Sequence, residues 1–240
     1  MFFQVDKNIA KAKSLDSNFY TEKEYFNLSL DKIFERSWQL ACHKSNLIET
    51  NIYPFIFLKD SINEPLIITE SNNLIQSLSN VCTHRAHIIN KKECHIKKMK
   101  CPYHGRTFNL DGTMDKMPGF EGVENFPSKD DNLKNLPILN WKNFIFTSIN
   151  PQIEINTILK DISNRLNNFP FDKITYSEKY SKTYDLNANW ALYCENYLEG
   201  LHVPYVHKSL TSEINIKTYK TKILDNGVLQ YADNKKNDIY

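Results

Sequence analysis

The spacing of hydrophobic residues changes along the chain. In the N-terminal lead-in, residues 1–36, apolar side chains recur at helical spacing, and Thr21 and Glu24 have the spacing of a capping box. We therefore predict a helix that begins at Thr21, with Ser17 as the weaker candidate for its start. The apolar positions that share one face of this helix are Phe26, Leu30, Ile33 and Phe34.

From Trp38 onward the pattern changes to that of β-strands. Short runs rich in β-branched and aromatic residues alternate with turns made of Asn, Asp, Pro and Ser. Asp111-Gly112 is a hairpin signal, and residues 141–150 read as a final strand. The pattern predicts a small antiparallel β domain over residues 37–150. Its first runs are SWQLACH, YPFIFLK, PLIITE and LIQSLSNVC.

A second region, with an α+β pattern, covers residues 151–240. Residues 155–169 place four apolar side chains on one helical face, and residues 176–187 alternate loosely, as a strand would. Residues 219–240 read as a strand, a turn at residues 225–227, a second strand and a charged tail; the two strands would need further strands for a stable sheet. The helical face consists of Ile155, Leu159, Ile162 and Leu166.

Two short loops in the β region each offer one thiolate and one imidazole. The first is Cys82-Thr83-His84, the second runs from Cys101 to His104, and sixteen residues separate the two loops. A [2Fe–2S] cluster in which two His replace two Cys on one iron needs this set of four ligands. A tetrahedral zinc site is the alternative, although zinc sites more often pair Cys with Cys and His with His. The mixed loops favour the cluster.

The two loops resemble the C-x-H and C-x-x-H motif of Rieske domains in ring-hydroxylating oxygenases. Arg85 follows the first histidine, and Pro102, Tyr103 and Gly105 surround the second. The resemblance implies an oxygenase large (alpha) subunit: an α+β protein in which an antiparallel β Rieske [2Fe-2S] domain precedes a helix-grip-like catalytic domain. Respiratory Rieske proteins carry one more cysteine in each loop, and His87 and Tyr103 occupy those positions here.

A second candidate metal site lies in the stretch NWALYCENYLEGLHVPYVH. Glu199 and His202, three residues apart, would share one side of a helix that Pro204 should end, and His207 follows. Two imidazoles that converge in this way suit a 2-His-1-carboxylate Fe(II) site, which leaves positions open for O₂ and substrate. A lone histidine after a helix is more often structural, so this interpretation depends on the pair.

The pattern E-x-x-H-x4-H, preceded by Glu195-Asn196, resembles the mononuclear iron motif of the same oxygenases. NYLEGLHVPYVH resembles their choline-monooxygenase-like and phenylpropionate-dioxygenase-like branch. The resemblance implies that His202 and His207 bind Fe(II) and that Asn196 lies at the catalytic site. It also implies that the acid at position 199 links a cluster histidine of a neighbouring subunit to an iron histidine. Many members have Asp there, so Glu199 is a departure.

The third iron ligand of these oxygenases is a carboxylate far downstream, which has no match here. The chain ends at Tyr240, and we therefore expect it to be a C-terminally truncated or partial large subunit. The alternative is a non-catalytic Rieske electron-transfer protein, which is favoured if the natural product stops at this residue. The acidic residues that follow the second histidine are Glu213, Asp225, Asp233 and Asp238, none of them in a clear helical pattern.

Two features near the loops have two interpretations each. Arg106 stands where the family usually has Trp, and a tolerated surface substitution is favoured over an altered subunit or reductase contact. A lysine run around Cys94 is interpreted as a solvated face, or alternatively as a docking patch for an acidic ferredoxin or flavoprotein reductase. The run comprises Lys91, Lys92, Lys97, Lys98 and Lys100.

Composition adds few constraints. A net charge of +2 gives no general drive toward nucleic acid or a membrane surface. Beyond the two loop cysteines, an odd number remains without disulfide spacing, so the cytoplasm is the expected location. The resemblance implies a ferredoxin and/or flavoprotein reductase as electron donor, O₂, a small aromatic or quaternary-ammonium substrate, and a homo-oligomer, trimeric in the family.

Overall fold

The computed structural model describes residues 3–224 and 227–235, and these form two compact units. The β unit combines Leu30–Ile153 and Pro170–Ser181. The mixed unit combines the described residues of Met1–Ser29, Glu154–Phe169 and Lys182–Tyr240. The three-part division of the chain given above remains a prediction.

The β unit consists of short antiparallel strands, as the runs of β-branched and aromatic residues between turns predict. Its strands are β1 (Gln39–His43), β2 (Ile52–Phe57), β3 (Glu64–Ser71), β4 (Leu74–Ser79), β5 (Met99–Lys100), β6 (Thr107–Phe108), β7 (Met114–Lys116), β8 (Asn135–Leu136), β9 (Ile138–Trp141) and β10 (Phe144–Thr147). They form three sheets with the orders β2-β3-β4-β8, β1-β10-β9 and β5-β6-β7.

Strand β3 is an interior strand of the largest sheet and pairs with β2 on one side and with β4 on the other. Four consecutive residues from Leu66 to Thr69 are buried, so both faces of the strand are covered. The sequence shows this as an unbroken apolar run instead of an alternating one. The hydroxyl of Thr69 donates to the carbonyl of Leu110 at 2.7 Å, which satisfies the polar group inside the core.

Asparagine supplies several of the left-handed turn conformations, since the chain has only six glycines. Asn72 and Asn73 connect β3 to β4 with φ of 51° and 63°, and Lys142 and Asn143 connect β9 to β10 with φ of 52° and 69°. Two consecutive residues of positive φ give a turn whose twist matches that of the paired strands. The predicted hairpin at Gly112, where φ is +85°, is confirmed between β6 and β7.

The hydrophobic core of the β unit continues beneath the two Cys/His loops. Cys82 and Cys101 belong to the same buried cluster as the apolar residues of the neighbouring strands. The cysteine end of each loop is therefore packed into the core of the unit. The other buried members of this cluster are Ile52, Ile67, Leu78, Ile89, Met99, Phe108, Leu110, Met114, Met117 and Leu133.

The predicted strand over residues 176–187 is wrong. This stretch contains a single 3₁₀ turn, Glu178–Tyr180, and is otherwise irregular. Its alternation of Tyr with Lys and Ser gives no buried face, because Tyr180 is 78% exposed and Tyr184 is 75% exposed. At its start, the backbone N–H of Tyr176 donates to the hydroxyl of Ser45 at 2.9 Å instead of to a neighbouring strand.

The mixed unit is built of short helices and one hairpin. Its elements are α1 (Ser17–Thr21), α2 (Lys23–Ser29), α3 (Asn156–Arg165), α4 (Trp190–Tyr197), α5 (Val203–Val206), α6 (Lys208–Glu213), β11 (Lys220–Leu224) and β12 (Gly227–Tyr231). The pairing of β11 with β12 confirms the predicted hairpin, whose turn residues Asp225 and Asn226 lie outside the described residues. Within residues 3–224 and 227–235, no helix is long and apolar enough to cross a bilayer.

The predicted start of the first helix at Thr21 is wrong. Helix α1 begins at Ser17, the weaker candidate, and Thr21 is its last residue. The Thr21 hydroxyl donates to the carbonyl of Ser17 at 3.1 Å, so the side chain faces back along the helix instead of capping a new one. Helix α2 then starts at Lys23.

Candidate functional site

The two Cys/His loops share one backbone hydrogen-bond pattern. We call residues 82–87 the first ligand loop and residues 101–106 the second ligand loop. In each loop the cysteine N–H donates to the carbonyl five positions later, and the N–H four positions later donates to the cysteine carbonyl. Each cysteine backbone is thus fixed on both sides. The bonds join Cys82 N to His87 O (2.9 Å), Ala86 N to Cys82 O (3.0 Å), Cys101 N to Arg106 O (2.8 Å) and Gly105 N to Cys101 O (3.0 Å).

The same position of each loop is also left-handed. Ala86 has a φ of 51°, and Gly105 has a φ of 75°. Glycine adopts this conformation freely, whereas a side chain at Ala86 costs about 1–2 kcal/mol in backbone energy. The first ligand loop carries this cost because its hydrogen bonds require the same tight turn.

The structure brings the four predicted cluster ligands together as two pairs, Cys82 with Cys101 and His84 with His104. Cys82 and Cys101 are 3% and 2% exposed, whereas His84 is half-buried and His104 is exposed. The two imidazoles lie edge to face, with ring centroids 4.8 Å apart. Two buried thiols and two less buried imidazoles fit a [2Fe–2S] cluster in which the cysteines would hold one iron and the histidines the other.

Neighbouring groups influence the protonation of these ligands. Burial raises the pKa of the Cys82 thiol, and the backbone N–H groups of His84 and Arg85 oppose that rise by donating to the sulfur. Partial burial lowers the pKa of His84, and the charges of His104, Arg106 and Arg85 add to the effect. A low imidazole pKa favours the neutral form, which is the form that binds metal.

Aromatic rings occupy the positions where respiratory Rieske proteins have their extra cysteines. The rings of His87 and Tyr103 lie beside each other, with centroids 5.8 Å apart. Tyr103 also packs on His104 with a centroid distance of 3.9 Å and an interplanar angle of 33°. These rings take the place of a disulfide, and the five cysteines of the chain are all free thiols.

The favoured interpretation of Arg106 as a surface substitution is wrong, because its side chain is 4% exposed. One guanidinium nitrogen donates to the Thr83 hydroxyl at 2.7 Å, and another donates to Asp131 Oδ1 at 2.7 Å. The guanidinium carbon lies 5.4 Å from the ring centroid of Phe126. A buried arginine needs such partners, since an unpaired buried charge is strongly unfavourable.

Thr83 and Asp131 are site residues that sequence reasoning missed. Thr83 lies between two ligands but has an ordinary side chain, and Asp131 is distant in sequence, at the end of the 3₁₀ turn Lys129–Asp131. The Thr83 hydroxyl donates to the carbonyl of Asp131 at 2.7 Å. The sequence did offer one signal, which is Arg106 at a position where the family usually has Trp. A cation next to buried ligands needs an anion as partner, and this could have directed the search to an acidic residue.

The lysine run lies on the surface of the β unit. All five of its members are exposed, as the solvated-face interpretation predicts. Lys98 forms an ion pair with Asp115, with Nζ and Oδ1 2.5 Å apart.

In the histidine segment, residues 198–207, the prediction that Glu199 and His202 share one side of a helix is wrong. Helix α4 ends at Tyr197, so Glu199 and His202 lie in the turn between α4 and α5. Pro204 stands in the first turn of α5 and therefore opens a helix instead of ending one. Proline is tolerated there, since the first N–H groups of a helix have no intrahelical partner.

This turn brings the predicted iron ligands together. The rings of His202 and His207 have centroids 5.1 Å apart and an interplanar angle of 73°. The Glu199 carboxylate contacts His202 Nδ1 and the backbone N–H of Leu201. A carboxylate on Nδ1 holds the proton there and leaves the Nε2 lone pair free for a metal. The hydrogen bond to His202 is also the main cause that lowers the pKa of Glu199.

A cavity of about 610 Å³ adjoins the histidine pair. Asn196, a predicted catalytic-site residue, lines this cavity, whereas Glu195 accepts a hydrogen bond from the Tyr20 hydroxyl at 2.7 Å and raises the pKa of Tyr20 to about 12. The remaining lining residues are Tyr193, Tyr197, Glu199, His202, Val203, His207, Leu210, Ile214, Tyr219, Gln230, Tyr231 and Ala232.

A third iron ligand is not assembled within the described part of the chain. Among residues 3–224 and 227–235, no three His, Cys, Asp or Glu side chains are grouped to hold one metal ion. Of the downstream acids, Glu213 ends α6 and Asp233 follows β12, while Asp225 and Asp238 lie outside the described residues. The two imidazoles and the carboxylate on His202 nevertheless fit part of a non-haem iron site.

Two protein-family models match the chain. The model of the Rieske [2Fe-2S] domain matches residues 37–127, and that of the ring hydroxylating alpha subunit (catalytic domain) matches residues 173–234. The first covers both ligand loops and the second covers the histidine segment. Together they imply a [2Fe–2S] cluster and a mononuclear iron.

Curated relatives and solved structures agree with these models. The chloroplastic choline monooxygenase of Beta vulgaris is 29% identical over 92% of this chain and 50% of its own length. The carnitine monooxygenase oxygenase subunit of Escherichia coli K12 is 26% identical over 94% of this chain and 60% of its own length. The chain thus spans about half to three fifths of the curated relatives it matches.

Two solved structures share the fold. A quaternary ammonium Rieske monooxygenase in complex with L-carnitine aligns with a TM-score of 0.75 and 24% identity, over 90% of this chain and 61% of that one. Naphthalene 1,2-dioxygenase with indole bound aligns with a TM-score of 0.61 and 21% identity, over 81% and 45% of the two chains. The chain therefore combines a stretch that matches the Rieske [2Fe-2S] domain and contains the two mixed Cys/His loops with a stretch that matches the catalytic domain of ring hydroxylating alpha subunits and contains the histidine pair.

Proposed function

We propose that the protein is the oxygenase component of a Rieske system, which uses O₂ to hydroxylate or demethylate a small organic substrate. In this proposal residues 1–36 are a helical lead-in, residues 37–150 the cluster domain and residues 151–240 part of the catalytic domain. The observation that carries it is the convergence of His202 and His207 beside a cavity, because an electron carrier needs no such pair. The alternative of a non-catalytic carrier is not favoured, since residues 173–234 match a catalytic domain.

In the proposed reaction the cluster supplies one-electron transfer and the Fe(II) supplies O₂ activation, and the protein binds and orients both. Cys82, His84, Cys101 and His104 would hold the cluster, and His202 and His207 would hold the iron. Glu199 would keep the proton of His202 on Nδ1 and so leave the Nε2 lone pair free to bind the iron. As a positioning residue it would also contact a cluster histidine of a neighbouring copy, which requires a homo-oligomer; we propose the trimer of the family.

The lining of the cavity supports a quaternary ammonium compound as substrate. Tyrosines supply much of its aromatic surface, and Glu199 adds a negative charge. Aromatic faces attract quaternary ammonium groups through cation–π interactions, worth about 0.5–2 kcal/mol each. The curated relatives named choline and carnitine monooxygenases support the same class. The cavity tyrosines are Tyr193, Tyr197, Tyr219 and Tyr231.

We propose a ferredoxin or flavoprotein reductase as the electron donor. The exposed lysine run around Cys94 would serve as its docking patch, because complementary charge mainly raises the rate of association. The free cysteines favour a reducing compartment, and we propose the cytoplasm.

The experiment that tests the proposal measures iron and acid-labile sulfide in the purified protein. We expect a Rieske EPR and visible spectrum, with iron beyond the two atoms of the cluster. His202→Ala should lose the extra iron and keep the cluster spectrum, because His202 belongs to the second site only. With a reductase and a quaternary ammonium substrate, NADH-coupled O₂ uptake should occur only in protein that contains the extra iron.

A matched control is His95→Ala, which removes an exposed histidine that belongs to neither site and should leave both metals in place. Only two irons per chain, unchanged by His202→Ala and without O₂ uptake, would show that the protein is an electron carrier.

A further inference from the structure

Arg106 ties the two ligand loops together. Its backbone is part of the second ligand loop, where its carbonyl accepts the hydrogen bond from Cys101 N at 2.8 Å. Its side chain reaches the first ligand loop and donates to the hydroxyl of Thr83, at 2.7 Å. Thr83 lies between the predicted ligands Cys82 and His84. The Arg106 side chain therefore links the second ligand loop to the centre of the first.

Asp131 completes a closed network with these two residues. Its Oδ1 accepts from Arg106 at 2.7 Å, and its backbone carbonyl accepts from the Thr83 hydroxyl at 2.7 Å. The Thr83 hydroxyl therefore accepts one hydrogen bond and donates another, which uses its single proton. Each member of the network contacts the other two.

Asp131 is itself held firmly. Its Oδ2 accepts hydrogen bonds from the backbone N–H and the hydroxyl of Ser128, at 2.8 and 2.9 Å. The two carboxylate oxygens thus have separate hydrogen-bond partners: Oδ2 accepts from Ser128 and Oδ1 accepts from Arg106. The anion is fixed by its own turn, and its position fixes the guanidinium.

The burial of this cation matters for a redox centre. Arg106 is 4% exposed, so little water screens its charge from the adjacent ligand positions. One-electron reduction adds a negative charge to a cluster with two thiolate and two neutral imidazole ligands. A fixed cation nearby stabilises the reduced form and raises the reduction potential, whereas a fixed anion lowers it.

We infer that Arg106 is a positioning residue for the cluster, which holds the first ligand loop through Thr83 and raises the reduction potential by its charge, while Asp131 moderates that charge. The inference rests on the proposed function, because it requires a cluster bound by the two loops. It assigns a role to a residue that replaces the Trp usual at this position.

The test compares charge changes of opposite sign, with dithionite as the one-electron reductant. Midpoint potentials are measured on the purified holoprotein by EPR-monitored redox titration, together with iron and sulfide content. Arg106→Gln should lower the potential, and Arg106→Lys, which keeps the charge, should lie between Arg106→Gln and the wild type. Asp131→Asn should raise the potential. A merely structural role would give loss of cluster without opposite shifts.

Arg85→Gln is the matched control for charge. Arg85 is in the first ligand loop but exposed, so water and salt screen it, and its removal should shift the potential less than Arg106→Gln does. For the positioning role, Thr83→Val removes the hydroxyl, whereas Thr83→Ser keeps it. Cluster loss to an iron chelator should be several-fold faster in Thr83→Val than in Thr83→Ser.

The outcomes separate this inference from the proposed function. A normal wild-type cluster, with unchanged or same-direction shifts in Arg106→Gln and Asp131→Asn, overturns the inference alone. If Arg106→Gln does not fold, the inference is tested by Asp131→Asn, by Arg106→Lys and by the comparison of Thr83→Val with Thr83→Ser. A wild-type protein without iron and sulfide overturns the proposed function, and this inference with it.

Discussion

The two ligand loops and the histidine segment hold their predicted metal-binding side chains by different means. The cysteines of the loops are part of the hydrophobic core of the β unit. Within the described chain, all buried apolar residues except Leu159, Ala191 and Val203 lie in that unit. In the histidine segment, polar contacts of Glu199 and the close packing of Gly200 fix the turn.

This difference matches what the two sites are proposed to do. A one-electron centre benefits from ligands that do not move, and ligands mounted on a packed core are fixed before metal binds. A site that admits O₂ and substrate needs open positions beside the metal. Ligands held by a few local contacts are correspondingly sensitive to changes in those contacts.

The largest expected effect is in the core of the β unit. Leu78 is fully buried in the cluster of apolar residues that includes Cys82 and Cys101. Leu78→Ala should lower the free energy of unfolding by about 3 kcal/mol, because a cavity is left under the loops. Chemical denaturation followed by circular dichroism measures this loss, and cluster absorbance should fall in the same transition.

The matched control lies in the mixed unit. Leu192 is 47% exposed, and Leu192→Ala should change the free energy of unfolding by less than about 0.5 kcal/mol. Equal losses in the two variants would contradict the view that Leu78 belongs to a packed core and Leu192 does not.

A smaller effect is expected at Gly200, in the histidine segment. A Cβ atom at this position would lie 2.3 Å from the ring of Tyr219, which lines the cavity. Gly200→Ala should therefore displace the ring and cost about 1–3 kcal/mol. Iron analysis should show loss of the iron beyond the cluster, with the Rieske EPR signal unchanged.

Gly227→Ala is the control for this variant, because its Cβ would meet its nearest neighbour at an ordinary 3.7 Å. It should keep its full iron content. Loss of the cluster signal in Gly200→Ala would show that the two sites are not independent.

The smallest effect concerns the free thiols of the two units. Burial, with a further contribution from Glu93, raises the pKa of Cys42 from 9.0 to about 12, whereas Cys194 is exposed. The thiolate is the reactive form. Pulsed alkylation of the native protein at pH 8 should therefore modify Cys194 and spare Cys42, as measured by peptide mass spectrometry.

The same shift gives a pH dependence of stability. The folded protein keeps the Cys42 proton to a higher pH than the unfolded chain does, so its contribution to stability is complete below about pH 9 and is lost progressively as the pH rises from 9.0 to about 12. Alkylation of Cys42 as fast as that of Cys194 would contradict the burial of this side chain.

Secondary structure followed from the sequence where the pattern was strong and local. The antiparallel strands, the hairpin at Gly112 and the pairing of β11 with β12 were predicted from periodicity and turn residues. The strand predicted over residues 176–187 does not form, because loose alternation of polar and aromatic residues does not supply a partner strand. Pro204 shows the same limit: its ring fits either the end or the beginning of a helix, and the surrounding turn decides which.

The sequence by itself determined which atoms can bind metal. Ligand type and spacing are local properties, so the two mixed Cys/His loops and the pair of His202 and His207 could be named before any fold was known. Tertiary structure alone decided how these loops are joined. Arg106 lies 23 residues from Thr83 and 25 from Asp131, and only the folded chain brings the three into contact. No local pattern encodes a contact between residues so far apart, because it depends on where the intervening chain places them.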